Sequence, residues 1–215
     1  LTNAGAVDTA WSLTEENLGA LTGTPPQVVQ NTLLEESFEN ATFPPTGWVA
    51  YNIDGGGSQW VRSTARAYAG SASAFHTYSS VGTQDGWLVT PAVAVPAVGT
   101  SALSFWEYTA YATWYVKHSL WVCTSGCATP PTNWTQVTEF GAPTSAWRQQ
   151  TVNLGAYAGQ TIYLAFRYEG YDADAWNIDA VRIYQDLTDQ VTWLAETPTS
   201  GALVADTGEQ VVAVD

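Results

Sequence analysis

The 215-residue chain carries 6 Lys and Arg residues against 20 Asp and Glu residues, so its formal net charge is −14. This charge repels phosphate backbones and anionic lipid surfaces, which argues against nucleic acid and membrane partners. Charged residues make up only 12% of the chain and aromatic residues 13%, so burial of apolar surface must supply most of the stability. No apolar run approaches the roughly 20 residues that cross a bilayer, so no membrane insertion is expected.

Composition changes along the chain predict three segments. A leading arm, residues 1–30, ends just after Pro25-Pro26, a denser block covers residues 31–185, and residues 186–215 form a trailing unit. The block contains short runs rich in Val, Thr, Tyr, Trp and Phe in which apolar and polar residues alternate. The clearest runs are 103–108, 118–122, 161–167 and 178–183. Such runs separated by turns predict an all-β chain folded as an antiparallel sandwich.

The chain has two cysteines, Cys123 and Cys127, on either side of the turn residues 124–126. A Ser-Gly turn between two thiols is readily closed by a disulfide in an oxidising compartment. A pair of free thiols and a zinc site are the alternatives. Zinc is disfavoured because His76 and His118 are isolated in the sequence, with no second ligand pair at the usual spacing.

Short motifs follow one another through the central block in a recognisable order. They are ESFEN at 36–40, FPPTGW at 43–48, Asp54 with glycines before Trp60, DGWLVTP at 85–91, LSFW at 103–106, WRQQTVNL at 147–154, YLAFR at 163–167 and IDAV at 178–181. Together they resemble the cleaved-adhesin or choice-of-anchor family, which is related to MAM domains. The resemblance implies a jelly-roll β-sandwich over residues 31–185.

The two flanks resemble parts of an Ig-like repeat of the BACON type found in secreted bacterial proteins. Residues 1–30 resemble its closing strands, and residues 186–215 resemble its opening strands. Two interpretations follow, because an incomplete sheet leaves exposed edges. Either the chain is a segment of a longer string of domains, or the leading strands of one copy complete the trailing unit of the next and form a head-to-tail fibre.

The resemblance also implies a calcium ion that ties the first strand of the jelly roll to the last. Acidic positions of the family pattern are matched by Glu36, Glu39, Asp85 and Asp179. Backbone carbonyls or water would complete the six to eight oxygens that calcium takes. The alternative is that Glu36 and Glu39 are solvated and that Asp179 accepts backbone hydrogen bonds.

Strand periodicity adds a reason to expect a ligand at Asp179. A period of two places its carboxylate on the same side of the strand as Val181 and Ile183. A carboxylate buried among apolar residues needs a cation or several donors. A second metal site is not expected, because residues 52–57 read Asn-Ile-Asp-Gly-Gly-Gly and lack the acidic run that many relatives carry there.

Aromatic residues cluster in and just after one predicted strand. Sugar-binding sandwiches use exposed rings, on which the apolar faces of sugars stack. The candidates for such stacking are Trp106, Tyr111 and Trp114. The alternative is that alternate members of the cluster fill the core and the others cover a neighbouring segment.

We expect no enzymatic activity from this chain. The sequence has no Gly-x-Ser-x-Gly elbow, no His-Glu-x-x-His pair and no phosphate-binding loop. Glu169, Asp172 and Asp174 resemble a glycosidase pair only superficially, since acids in a Gly-bounded connection usually form a solvated loop or a cation site.

The function expected from the sequence is that of a non-catalytic, secreted module at the cell surface. It would serve in attachment, or as the repeating subunit of an extracellular filament assembled by strand complementation. The alternative is an accessory or carbohydrate-binding domain of a secreted multidomain peptidase. Expected partners are neighbouring copies or adjacent domains, reached through the termini, and surface glycans or proteins.

Overall fold

The computed structural model describes residues 9–12, 29–54, 58–141, 143–187, 196–197, 200–203 and 213–214. The strands are β1 (Thr9–Ser12), β2 (Val29–Glu36), β3 (Val49–Asn52), β4 (Trp60–Ser63), β5 (Ser73–His76), β6 (Gln84–Val89), β7 (Val93–Ala94), β8 (Thr100–Ala110), β9 (Lys117–Cys123), β10 (Thr135–Glu139), β11 (Arg148–Asn153), β12 (Thr161–Gly170), β13 (Ala175–Leu187), β14 (Glu196–Thr197), β15 (Ser200–Leu203) and β16 (Ala213–Val214). Two 3-10 turns, η1 (Ala112–Trp114) and η2 (Gly155–Tyr157), are the helical elements of the described part. No helix in these ranges is long and apolar enough to cross a membrane.

The chain divides into two compact units. One comprises residues 29–188, and the other combines residues 1–28 with 189–215. In the second unit β1 pairs antiparallel with β15, and β14 pairs with β16. The predicted Ig-like flanks otherwise lie outside the described residues.

The larger unit is built from two six-stranded sheets whose pairings are antiparallel. The first has the order β11-β8-β13-β5-β4, with β2 added beside the second half of β13. The second has the order β10-β9-β12-β6-β3, with β7 added beside the start of β12. The prediction of an antiparallel sandwich is therefore confirmed.

The core lies between the sheets and follows the alternation read from the sequence. In β8, Leu103 and Phe105 are fully buried, while Ser104 and Trp106 lie half-buried on the outer face. In β12 the inward residues are Ile162, Leu164, Phe166 and Tyr168, and all four are fully buried. Burying a large apolar side chain of this kind stabilises the fold by roughly 1.5–3 kcal/mol.

One core polar group, Glu107, is satisfied by three donors. Its carboxylate accepts hydrogen bonds from Trp176 Nε1 at 2.8 Å, Arg148 Nε at 2.6 Å and Gln150 Nε2 at 2.6 Å. A buried carboxylate without such partners would be strongly destabilising. This network therefore links β8, β11 and β13 across the first sheet.

A β-bulge in β13 overturns the predicted orientation of Asp179. The pairing of β13 with β8 shifts between Asp179 and Arg182, and Ala180 has a positive φ of 48°. The extra residue lets Ile178 and Val181 both reach the core, although they are three positions apart. Asp179 instead faces outward and bonds to a surface loop, so the prediction that it shares the face of Val181 was wrong.

Both histidines lie in the core against aromatic rings. His76 stacks on Tyr168 with ring centroids 4.1 Å apart, and His118 stacks on Trp176 at 4.2 Å. His118 Nε2 also lies 3.0 Å from Oδ2 of the buried Asp174. Burial lowers the pKa of His76 to about 4, so this imidazole stays neutral in the folded protein.

This burial predicts a loss of stability in mild acid. The unfolded chain protonates His76 near pH 6.5, whereas the folded chain does not do so until about pH 4. The free energy of unfolding should therefore fall as the pH drops from 6.5 to 4, by about 3 kcal/mol from this residue. Chemical denaturation of the wild type and of His76→Phe across this range tests the point, because phenylalanine keeps a ring but cannot titrate. Identical pH dependences in the two proteins would contradict it.

Candidate functional site

Three connections at one end of the sandwich enclose a cleft of about 220 Å³. The connections are the loop between β5 and β6, the segment around η1 between β8 and β9, and the loop between β12 and β13. The cleft, called here the aromatic cleft, is lined by Tyr78, Tyr111, Trp114, Asp172 and Ala173.

The rings of the aromatic cleft are open to solvent. Trp114 is 65% exposed, Tyr111 58% and Tyr78 40%. Tyr78 and Tyr111 meet edge to face with centroids 5.7 Å apart, and no ring among the described residues stacks on Trp114. A cluster of exposed rings beside polar groups marks a binding surface more often than a structural one.

Buried polar contacts hold the loops of the cleft in place. Gln84 is fully buried, and its Oε1 accepts a hydrogen bond from Ser79 N at 2.7 Å. Its Nε2 donates to the carbonyl oxygens of Ser79 and Gly82, each at 2.9 Å. The backbone N–H of Asp172 donates to Ser79 O at 2.9 Å, and this bond joins the loop between β12 and β13 to the loop between β5 and β6. The cleft is thus preorganised before any ligand binds.

Two residues of the cleft have the left-handed backbone conformation. Tyr111 has φ 62°, and Asp172 has φ 44°. The conformation of Tyr111 starts η1, in which Trp114 N donates to Tyr111 O at 2.8 Å. Non-glycine residues with positive φ are uncommon and concentrate at functional sites. The backbone conformation at these two positions therefore directs the Tyr111 ring and the Asp172 carboxylate toward the cleft.

The structure separates Trp106 from the other two predicted stacking residues. Tyr111 and Trp114 line the aromatic cleft, whereas Trp106 lies on the outer face of β8. One face of its ring is covered by Tyr68, with centroids 3.8 Å apart and an interplanar angle of 10°. Trp147 contacts the same Tyr68 ring, so Trp106 belongs to an aromatic layer on the sheet.

A larger opening of about 420 Å³ lies along the edges of β3 and β4. Its aromatic members are Trp48 and Trp60, which are only 7% and 2% exposed because their rings belong to the core, and Phe43, which is partly buried against the core. This opening presents less ring surface than the aromatic cleft, although it is larger.

Two of the predicted calcium ligands meet at one loop. Asp179 Oδ2 accepts hydrogen bonds from Tyr68 N at 2.7 Å and Ala69 N at 3.1 Å. Glu39 Oε1 accepts from Ser71 N at 2.9 Å and from Ala72 N at 3.1 Å. Both carboxylates therefore hold the loop between β4 and β5. Burial raises the pKa of Asp179, the three backbone N–H donors around it oppose this, and the charge of Glu39 adds to the rise.

The other two predicted ligands, Glu36 and Asp85, form hydrogen bonds with different parts of the protein. Glu36 Oε1 accepts a hydrogen bond from Phe38 N at 2.6 Å. Asp85, on the second sheet, forms two hydrogen bonds with Arg167 at 2.7 and 2.8 Å and accepts one from Trp87 Nε1. Asp85 N also donates to the carboxylate of Asp54. Asp85 is therefore neutralised by a cation of the protein itself.

Side chains alone do not form a calcium site in the part of the chain that the structure describes. The described residues contain no group of three or more Asp, Glu, His or Cys side chains placed to share a metal ion. Glu39 and Asp179 would need backbone carbonyls or water to complete a calcium shell. The predicted four-carboxylate site is not assembled, and calcium stays a prediction.

Cys123 and Cys127 are joined by a disulfide, with Cα atoms 5.7 Å apart. Cys123 belongs to a small apolar cluster on the outer face of the second sheet, together with Trp87 and Trp134. Arg167 lies over the rings of Trp87 and Trp121 at 4.9 and 5.0 Å. The disulfide loop and this stack cover the outer face of the second sheet.

The three acids Glu169, Asp172 and Asp174, at the end of β12 and in the loop that follows it, are dispersed. Glu169 pairs with Lys117 at 3.3 Å and with Arg167 at 3.2 Å. Asp174 is fully buried beside His118, and Asp172 alone lines the aromatic cleft. Sequence reasoning did not single out Tyr78 or Asp172 as members of the cleft. The position of Tyr78 directly before the turn residues Ser79 and Ser80 is the signal that the sequence offered.

The sequence of this sandwich matches a known protein family. The family profile described as Cleaved Adhesin Domain matches residues 31–183. The chain belongs to the cleaved adhesin family.

Curated relatives match most of this chain but are much longer proteins. Hemagglutinin A of Porphyromonas gingivalis is 30% identical over 190 residues, which cover 74% of this chain and 8% of that protein. Lys-gingipain of the same organism is 31% identical over 176 residues, which cover 71% of this chain and 10% of that protein. The chain thus spans a tenth or less of the length of these relatives.

Solved structures agree with the sandwich described above. One cleaved adhesin domain of Lys-gingipain from P. gingivalis has a TM-score of 0.57 and 27% identity, covering 74% of this chain and 99% of that domain. A carbohydrate-binding module solved with β-1,4-galactotriose has a TM-score of 0.52 at 20% identity, covering 73% of this chain and 99% of that chain. At this identity the second likeness shows the fold alone.

Proposed function

We propose that the chain is a non-catalytic, extracellular adhesin module that binds oligosaccharides in the aromatic cleft. The observation that carries this proposal is the convergence of three exposed rings, Tyr78, Tyr111 and Trp114, on loops fixed by buried hydrogen bonds. Sugar rings present an apolar face that stacks on aromatic side chains and a polar rim that needs acceptors such as the Asp172 carboxylate.

Two further observations support an extracellular setting. The Cys123–Cys127 disulfide suits an oxidising compartment. The net charge of −14 keeps such a module soluble and away from anionic surfaces. Because the relatives include a hemagglutinin and a gingipain of far greater length, the module would act in attachment within a larger protein or assembly.

Truncating the most exposed ring of the aromatic cleft, Trp114, should weaken glycan binding. We expect Trp114→Ala to weaken oligosaccharide binding at least about ten-fold, equivalent to about 1.4 kcal/mol, because the stacking surface is lost. The melting temperature should stay unchanged, since the ring is 65% exposed. A glycan array that includes β-1,4-galactotriose, followed by titration calorimetry on the hits, measures both the affinity and the class of sugar.

Tyr184→Ala is the matched control for this experiment, because it removes a partly exposed ring from the outer face of β13, away from the aromatic cleft. It should leave the affinity unchanged. Absence of binding to every glycan on the array, or equal affinities of Trp114→Ala and the wild type, would contradict the proposal.

We also propose filament assembly by strand complementation as a second function. The supporting observation is the antiparallel register between the two ends of the chain, in which Ala10 pairs with Ala202 and Trp11 with Gly201. The same pairing made between successive copies would join them head to tail, since strand addition at an open edge depends only on backbone hydrogen bonds.

Cross-linking between two different variants tests assembly between copies. Ala10→Cys and Ala202→Cys, expressed separately and mixed under oxidising conditions, should form a covalent dimer if the strands pair between chains. Each variant alone serves as the control, and deletion of residues 1–13 should abolish polymers seen by electron microscopy. A cross-link that forms only when both cysteines are in one chain would contradict assembly.

We further propose that calcium binds beside Glu39 and Asp179. Glu39 and Asp179 both bond to the loop between β4 and β5, and although burial is the main cause of the raised pKa of Asp179, the charge of Glu39 adds to it, so a cation beside the two carboxylates would relieve their repulsion. Adding calcium to chelated protein should raise the melting temperature by several degrees, as binding to the native state alone requires. In Glu39→Gln the increase should disappear. Equal melting temperatures of the wild type with calcium and with chelator would show that the N–H donors suffice.

A further inference from the structure

A second cavity continues the aromatic cleft along the outer face of the first sheet. It has a volume of about 270 Å³, and it shares Tyr78 and Tyr111 with the aromatic cleft. Its other walls come from the ends of β4, β5, β8 and β13 and include Arg66 and Asn177. This space is called here the arginine cavity. The two cavities therefore adjoin at the edge-to-face pair of Tyr78 and Tyr111, and together they are called here the groove.

Arg66 differs from the other cations of the protein. Three of them pair with carboxylates: Lys117 with Glu169, Arg148 with Glu107 and Arg167 with Asp85. Arg62 donates to the carbonyl oxygens of Phe38 and Glu39, and Arg182 donates to Gln30 and Thr32. Within the described ranges, the guanidinium of Arg66 contacts the face of Tyr108 at 3.8 Å and has no hydrogen-bond acceptor. Arg62 and Arg182 also lack a carboxylate but use their N–H groups in hydrogen bonds, so among the six cations Arg66 is the one whose guanidinium N–H groups are not engaged by a described residue.

The position of Arg66 is fixed by its surroundings. Ser73 Oγ donates to Arg66 O at 2.7 Å, and Asn177 Nδ2 donates to Ser73 Oγ at 3.0 Å. The contact with Tyr108 holds the guanidinium over that ring, and no acceptor among the described residues takes up its N–H groups. A planar fork held in this way matches a carboxylate, which accepts two parallel hydrogen bonds from it.

The floor of the arginine cavity contains a second unused polar group. Asn177 is 1% exposed, and its Oδ1 has no hydrogen-bond partner among the described residues. An unpaired buried acceptor costs roughly 1–3 kcal/mol, so such groups usually await a donor. Sugar hydroxyls are donors of this kind.

We infer that the groove binds a mixed oligosaccharide that places a uronic acid over Arg66 in the arginine cavity and a neutral sugar on Tyr111 and Trp114 in the aromatic cleft. This inference rests on the proposed glycan binding and specifies the ligand class. The two ends of the groove carry opposite charges, Arg66 at one and Asp172 at the other. A uniformly acidic polymer would place a carboxylate against Asp172, whereas an oligosaccharide with a single uronate avoids that repulsion.

Matched pairs of acidic and neutral oligosaccharides test this inference. The probes are aldotetraouronic acid and aldotriouronic acid, which each carry one uronate, and each is compared by calorimetry with its carboxyl-reduced counterpart, which has the same rings without the charge. At least one acid should bind ten-fold or more tightly than its reduced form. Arg66→Gln should reduce that preference to below two-fold while the reduced form still binds, and Arg66→Lys should keep part of it.

Arg182→Gln is the matched control, because Arg182 also lies over a tyrosine of the same sheet, Tyr184, but does not line the groove. It should leave the preference for the acid unchanged. If neutral oligosaccharides bind through Trp114 but no acid is preferred, or the preference survives in Arg66→Gln, the inference is wrong and the proposed function stands. If neither acidic nor neutral sugars bind, both are wrong. Melting temperatures of all variants exclude loss of folding as the cause.

Discussion

The bulge in β13 at Asp179 and Ala180 is the constraint on which the arrangement of the first sheet depends. It lets the strand keep apolar residues in the core on both sides of the interruption while it pairs with β5 before the bulge and with β2 after it. It also points Asp179 outward, where its oxygens hold Tyr68 N and Ala69 N. The loop that presents Arg66 is thereby anchored on the sheet, so the geometry of the groove follows from one extra residue in a strand.

The sandwich was largely predictable because its strands alternate and its turns are marked. Leu103 and Phe105 face the core as their spacing indicates, and the motifs resembled the family whose profile matches the chain. The orientation of Asp179 was not predictable from periodicity, because a bulge changes the parity of every later residue and depends on pairing with a distant strand. Sequence shows the period of a strand but not where that period slips.

The candidate site was predictable only in part. Tyr111 and Trp114 are close in sequence and were recognised together, but Tyr78 and Asp172 reach the same cleft from loops far apart in the chain. Asp85 matched the family pattern for a ligand, yet a side chain 82 residues later, Arg167, neutralises it across paired strands. His118 looked isolated in the sequence and lies 3.0 Å from Asp174. Each difference arises from strand register, which brings remote residues together.

The buried side chain of Gln84 stabilises one loop of the aromatic cleft without determining which side chains that loop presents to a ligand. Its side chain lies under the loop between β5 and β6 and bonds only to backbone atoms of that loop, at Ser79 and Gly82. Because these hydrogen bonds involve only backbone atoms of the loop, the exposed side chains of the loop can vary during evolution at little cost to the stability of the fold. Point substitutions at these loop positions can therefore change which ligand the protein binds while the sandwich fold is kept.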